Sequence, residues 1–216
     1  MKTHCLMKAK TLSMDNKVTH TTWLASYPKS GNTWFRIFLA NLLYPEQSPV
    51  SINKMPLSTP IASARTGVEQ LLGTSSGFLT TAEAEPLRVA ADRQLAAGWK
   101  KPLLVRKVHD AYTRLPDGTP LLGEGPDYSM LYILRHPWDV AVSAANHWQL
   151  SNEKAAQRLI SEKAKNQRSS NSLKNQFPQK MLSWQEHAIS WLRAPMPVQL
   201  IRYEDMQQAP LTTFRT

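Results

Sequence analysis

One cysteine, Cys5, is all that the 216 residues contain. A single thiol excludes an internal disulfide and argues against a structural zinc site, which draws on several Cys and His ligands. Long apolar runs are missing too: no stretch approaches the ~20 residues needed to cross a bilayer. Residues Met1 to Asn16 mix lysines with polar side chains and lack the apolar core of a signal peptide. Residues 1–20 are therefore expected to form a loose tail, 21–216 a single domain, and the protein is expected to be cytoplasmic. Acidic residues are scarce, 16 against 26 Lys and Arg, which leaves a net charge of +10. A positive field favours anionic partners, and nucleic acid, a membrane surface and a phosphorylated small molecule all fit. Half of the excess lies in Ser151 to Lys180, where seven basic and two acidic residues give +5. That segment reads as a solvated surface excursion, with a mobile lid over an anionic ligand as the sharper alternative.

What is present is an alternation of strands and helices. Thr22–Ser26, Leu103–Val108, Met130–Leu134 and Val198–Ile201 are short runs of aliphatic and β-branched residues without clean alternation, the pattern of strands buried on both faces. Helical stripes separate them. Trp34, Ile37, Phe38 and Leu42 share a face; Thr80 with Glu83 forms a capping box ahead of a helix that ends before Gly98; Pro137 opens a third helix and Leu182 to Leu192 forms a fourth. Pro86, inside the second, marks an alternative first turn for it. Strands alternating with helices imply an α/β fold with a mainly parallel central sheet flanked by helices on both faces. Ligands in such folds bind beyond the carboxyl ends of the strands. Lys29–Thr33, Lys107–Asp110, Arg135–His136 and Tyr203–Asp205 each follow one of the four strands.

The stretch "SYPKSGNTW", Ser26 to Trp34, lies between the first strand and the first helix. Gly31 permits a tight turn. The amides near Ser30 to Trp34 are then the unpaired donors of a helix N-terminus, a ready site for phosphate or sulfate. The hydroxyls of Ser30 and Thr33 and the charge of Lys29 add to it. This is a P-loop in kind, but Lys29 precedes Gly31 by two residues, whereas the Walker A lysine follows its second glycine. That order disfavours a magnesium- and ATP-dependent kinase. A nucleic-acid binder is disfavoured by basic residues that cluster without interleaved aromatics.

These stretches resemble the cytosolic-type sulfotransferase family. "SYPKSGNTW" is similar to its phosphosulfate-binding loop, and "KVHD" (Lys107–Asp110) to the segment with its catalytic histidine. "YILRHPWDVAVSAANHW" (Tyr132–Trp148) is similar to its 3′-phosphate motif, an arginine followed eight residues later by a serine, and "LIRYEDM" (Leu200–Met206) to its late strand. The resemblance runs from about Thr22 to the end of the sequence. It implies transfer of a sulfuryl group from 3′-phosphoadenosine 5′-phosphosulfate to a hydroxyl or amine of a small acceptor, with no metal, no nucleic acid and no membrane involved. It also implies roles. Lys29 and the amides of Ser30, Gly31, Asn32 and Thr33 hold the 5′ phosphosulfate, and Trp34 stacks on adenine. Arg135 and Ser143 bind the 3′ phosphate, Tyr203 touches the base, His109 is the general base, and Lys107 orients acceptor or donor.

The family's later Arg-Lys-Gly loop, its Trp-Lys segment and its dimerisation segment have no counterpart here. The expectation is thus a C-terminally truncated member, for which a homodimer would lack the family's usual contact. A homologue that binds the nucleotide but turns over weakly or not at all is the alternative. The acceptor-facing segments are expected to be the loop-like Ser48–Thr81 and Ser151–Lys180. His136, His147 and His187 are expected to be structural, and Trp148, Trp184 and Trp191 to pack in the core, with the lining of an acceptor pocket as the alternative. Glu204 and Asp205 are not expected to form an acid–base pair.

Overall fold

The central strand of the protein is its first. β1 (His20–Ser26) pairs in parallel with β2 (Leu103–Val108) on one side and with β3 (Tyr128–Leu134) on the other. β6 (Val198–Arg202) adds to the outer edge of β3, also in parallel, so the sheet order is β2-β1-β3-β6. This computed structural model describes residues 19–43, 49–50, 60–101, 103–166 and 175–215. Cys5 and nearly all of the expected N-terminal tail lie outside them.

Helices connect the strands. α1 (Asn32–Leu43), α2 (Arg65–Leu72) and α3 (Thr81–Gly98) lie between β1 and β2; α4 (Pro137–Trp148) and α5 (Asn152–Leu159) follow β3. A short antiparallel pair, β4 (Lys165–Asn166) and β5 (Gln179–Lys180), precedes α6 (Trp184–Leu192). α7 (Tyr203–Gln208) and α8 (Pro210–Thr213) come after β6. The expected strands are all present, with β1 and β3 each starting two residues earlier than expected.

Register puts alternate strand residues on opposite faces. Trp23 and Ala25 of β1, Val108 of β2, and Met130 and Tyr132 of β3 pack with Val89 of α3 and with Ala188 and Trp191 of α6. Leu24 and Ile133 face the other way and pack with Phe35 of α1, Ile201 of β6 and Met206 of α7. Helices thus cover both faces.

Two expectations need correction. Pro86 does not mark the first turn of α3. Thr80 is the N-cap, accepting from the Glu83 amide while the Glu83 carboxylate accepts from the Thr80 amide. The N–H that Pro86 lacks would have met the carbonyl of Ala82, which is solvent-exposed, so the helix tolerates it. Neither of the segments expected to be loop-like is loop throughout: in Ser48–Thr81, α2 occupies Arg65–Leu72, anchored by the buried Val68 and ended by Gly73 in the left-handed conformation, φ 66°, and in Ser151–Lys180, α5 is anchored by the buried Ala155 and Leu159 and is followed by the β4–β5 pair.

Below the carboxyl end of β2, the carboxylate of Asp110 pairs with Arg88 of α3 at 2.7 Å and accepts from the Lys180 amide at 3.1 Å. The Trp191 indole donates to the Asp110 carbonyl at 2.9 Å. One residue thereby ties β2, α3, α6 and β5 together. Arg88 is 3% exposed and Asp110 1%, so losing one partner strands a charge away from water. Asp110→Ala is expected to lower stability by about 3–5 kcal/mol, read as a fall in the urea midpoint with the slope unchanged. A loss under about 1 kcal/mol would show that water reaches Arg88.

Candidate active site

At the carboxyl edge of the sheet, β1 and β3 send their connections to opposite sides, which opens a crevice between their ends. A cavity of about 470 Å³ lies there. Its wall includes Lys29, Gly31, Asn32, Thr33 and Trp34 from the first turn, Lys107 and His109 from the end of β2, Arg135 from the end of β3, Ser143 from α4 and Tyr203 from the start of α7. Of the residues expected at the site, Ser30 alone is not in that wall; it is buried beneath the turn.

The turn is built to expose donors. Phe35 makes the first bond of α1, to the carbonyl of Gly31 at 3.1 Å, so the amides of Gly31 to Trp34 lack partners within the helix. The Ser30 amide, expected among the donors, instead closes the turn on the Tyr27 carbonyl at 3.3 Å. Lys29 sits in the left-handed region, φ 73°, and Gly31 at φ 99°. A β-carbon on Gly31 would come within 2.5 Å of the Tyr203 ring, so glycine is needed for contact as well as for conformation. The Ser30 hydroxyl is buried with no partner among the described residues, as is Arg135 Nε. Buried orphan donors beside a helix N-terminus fit a phosphate or sulfate group.

The aromatic side is pre-assembled. Trp34 meets Tyr203 edge to face, centroids 6.0 Å apart, and Arg135 lies 4.2 Å over the Tyr203 ring. Arg135 Nη1 also donates to the carbonyl of Lys29 at 2.9 Å, which ties the end of β3 to the turn. Ser143, two turns into α4, reaches the same cavity wall. Glu204 is turned away, its carboxylate accepting from the His136 amide at 2.9 Å.

His109 is held from two directions. Its Nδ1 donates to the carbonyl of Ser26 at 2.7 Å, with the Ser26 hydroxyl at 3.4 Å. A carbonyl only accepts, so the neutral ring carries its proton on Nδ1 and leaves Nε2 as the base. From behind, His187 donates Nε2–H to the His109 carbonyl at 3.2 Å and accepts at Nδ1 from the Tyr132 hydroxyl at 2.8 Å. Burial, followed by the charge of Lys107, pushes His109 down to about 3, and burial pushes His187 down to about 4. Burial and the nearby Arg36 bring Lys107 down to about 8.

Four members of the wall were not expected from the sequence: Pro28 in the first turn, His147 on the last turn of α4, and Asn166 and Gln176 from the polar excursion; Trp148, beside His147, is in the wall too. The expectation of a structural His147 is corrected accordingly, since it lies one turn after Ser143 on the face of α4 that meets the cavity. Trp148 packs against Ala144, Ala145 and Ala155, as expected, and also reaches the wall. Burial and the nearby Lys29 lower the pKa of His147. His187 and Trp191 are internal, as expected. The lid reading for Ser151–Lys180 falls partly on 167–174, outside the described residues. The residues named along the wall include three cations and no carboxylate.

A family profile described as the sulfotransferase domain matches residues 19–215. The chain belongs to the sulfotransferase family. Among solved structures, this sulfotransferase-family chain is similar to retinol dehydratase in complex with androsterone and the inactive cofactor PAP, with 18% identity, a TM-score of 0.47, and coverage of 94% of this chain and 59% of that one. The chain thus spans about three fifths of the length of that protein. No curated protein matches it. Among the described residues, no helix is long and apolar enough to cross a membrane.

The two buried imidazoles of this sulfotransferase-family domain set an acid limit on its stability. Their folded values, about 3 and about 4, lie below the ordinary 6.5 of the unfolded chain. Their stabilisation is therefore complete above pH 6.5 and is lost as pH falls from there through 4 and 3, at up to ~1.4 kcal/mol per imidazole per pH unit. Urea unfolding at pH 7 and at pH 4.5 measures it. The difference between the two pH values should shrink by about one imidazole's share in His187→Gln. An undiminished difference would mean that His187 is protonated in the folded state.

Proposed function

We propose that this chain transfers a sulfuryl group from 3′-phosphoadenosine 5′-phosphosulfate to the hydroxyl or amine of a small acceptor. The observation that carries the reading is the composition of the cavity: three cations, two imidazoles and the first turn of α1, with no carboxylate among the described residues of its wall and the orphan Ser30 hydroxyl buried beneath that turn. Such a lining favours a strongly anionic ligand. The flat rings of Trp34 and Tyr203 suit a purine base.

The donor supplies the sulfuryl group and a phosphate as its leaving group. Transfer of this kind is in-line displacement, so the protein's contribution is positioning and charge neutralisation. The amides of Gly31 to Trp34 and the Ser30 hydroxyl hold the 5′ end. Lys29 neutralises the charge that gathers on the bridging oxygen as the sulfur–oxygen bond breaks. Arg135 and Ser143 take the 3′ phosphate, for which the planar guanidinium fork is well shaped. Lys107 orients the acceptor or the transferring group. His109 Nε2 removes the acceptor's proton as the new bond to sulfur forms, and the proton passes to solvent after turnover.

Burial first, and the charge of Lys107 second, hold His109 down at about 3, where it is a weak base. An anionic donor beside Lys107 offsets the second cause and raises the imidazole from that value. Binding and basicity are thereby coupled.

The test is transfer from sulfur-labelled donor to a panel of phenols, alcohols and amines. Labelled product is expected with at least one class, with a fall of about a hundredfold or more in His109→Ala. A folded protein that binds the nucleotide yet labels no acceptor would contradict the reading.

A further inference from the structure

The side chain of Asn32 points away from the face where its amide would meet a phosphate. Its Nδ2 donates to the carbonyl of Leu24 at 3.1 Å and to the Ser26 hydroxyl at 3.2 Å. The carbonyl of Leu24 fixes the orientation, because a flipped amide would set two acceptors against each other. Asn32 Oδ1 is left buried with no partner among the described residues. An orphan acceptor costs stability, so the geometry of this side chain is held at some expense. The Ser26 residue it grips is the one whose carbonyl accepts the proton of His109 Nδ1 and whose hydroxyl lies 3.4 Å from the same nitrogen. Ser26 and Asn32 are both buried, 0% and 4% exposed, so water does not compete for these bonds.

We infer that Asn32 and Ser26 are positioning residues that lock His109 in its Nδ1–H tautomer and couple the anion-binding turn to the base. Asn32 is the first residue of α1, so its amide belongs to the anion-binding set while its side chain reaches back to the end of β1. An anion that fixes the first turn fixes the clamp on Ser26, and the clamp keeps Nε2 unprotonated and aimed at the cavity. The coupling needs no moving element. It is a chain of hydrogen bonds from Asn32 through Ser26 to His109, with every link within 3.4 Å. The inference that this chain serves catalysis rests on the proposed reaction; the tautomer lock itself does not.

Long-range proton–nitrogen NMR of the six histidine rings reads the tautomer directly, with His109→Gln assigning its signals. The wild type is expected to show one Nδ1–H tautomer for His109. Asn32→Ala is expected to give a mixture, with the imidazole pKa displaced upward toward the ordinary value and kcat reduced about tenfold. Affinity for 3′-phosphoadenosine 5′-phosphate should change less than about threefold, since the main-chain amide remains. Ser26→Ala, which keeps the carbonyl, is expected to give a smaller shift in the same direction and serves as the readout if Asn32→Ala does not fold. An unchanged His109 tautomer in these variants would overturn the lock, as would a fall in kcat matched by an equal loss of nucleotide affinity. Failure of the sulfuryl-transfer reading would appear instead as no turnover by a wild type whose tautomer is as described.

Discussion

Tyr203 lies so close to the main chain of Gly31 that a β-carbon there would stand within 2.5 Å of its ring. That approach brings the end of the last strand onto the turn after the first. Arg135 closes the assembly from the third side, holding the Lys29 carbonyl and covering the Tyr203 ring. The shape of the anion-binding turn is therefore determined by residues more than a hundred positions away, and it is their convergence that leaves the α1 amides facing a cavity instead of core. A strand–helix turn without these neighbours would be an ordinary connection.

Charge follows from the same arrangement. Lys29, Lys107 and Arg135 meet around one space with no carboxylate named in its wall. Burial, and after it the nearby charge of Arg36, bring Lys107 down to about 8, and burial with Lys107 keeps His109 neutral. An anion beside Lys107 offsets its charge. The site's own electrostatics thus link occupancy to the protonation of both groups. Beneath it, the acidic partners are kept out of the cavity: Asp110 pairs with Arg88, and Asp92 with Arg106.

Much of this was legible in the sequence because buried parallel strands and P-loop turns leave local signatures. β2 matched its apolar run, and the residues after all four main strands proved to share one edge. The capping box at Thr80 and Glu83 was also visible, and it outweighed Pro86. What was not legible depends on distance in sequence. Nothing local marks Ser26 as the partner of His109, 83 residues on. Asp110 stood only as the last residue of the Lys107–Asp110 cluster, and its partners lie 22 and 70 residues away. His147 lay inside the Tyr132–Trp148 motif with no role assigned to it, and Asn166 and Gln176 lay in no motif; they reach the cavity through the direction of α4 and of the excursion after α5. Helix period alone, applied from Ser143, would have pointed to His147 one turn later.

Whether an adenosine bisphosphate occupies the edge where the four strands end, between Lys29, Arg135 and the Trp34–Tyr203 pair, is read from calorimetric titration of the protein with 3′-phosphoadenosine 5′-phosphate, with Arg135→Ala alongside. A single site of about micromolar Kd is expected, weakened at least tenfold in the variant through the lost charge-assisted bonds. No heat of binding from a folded protein, or equal affinity in Arg135→Ala, would rule that site out.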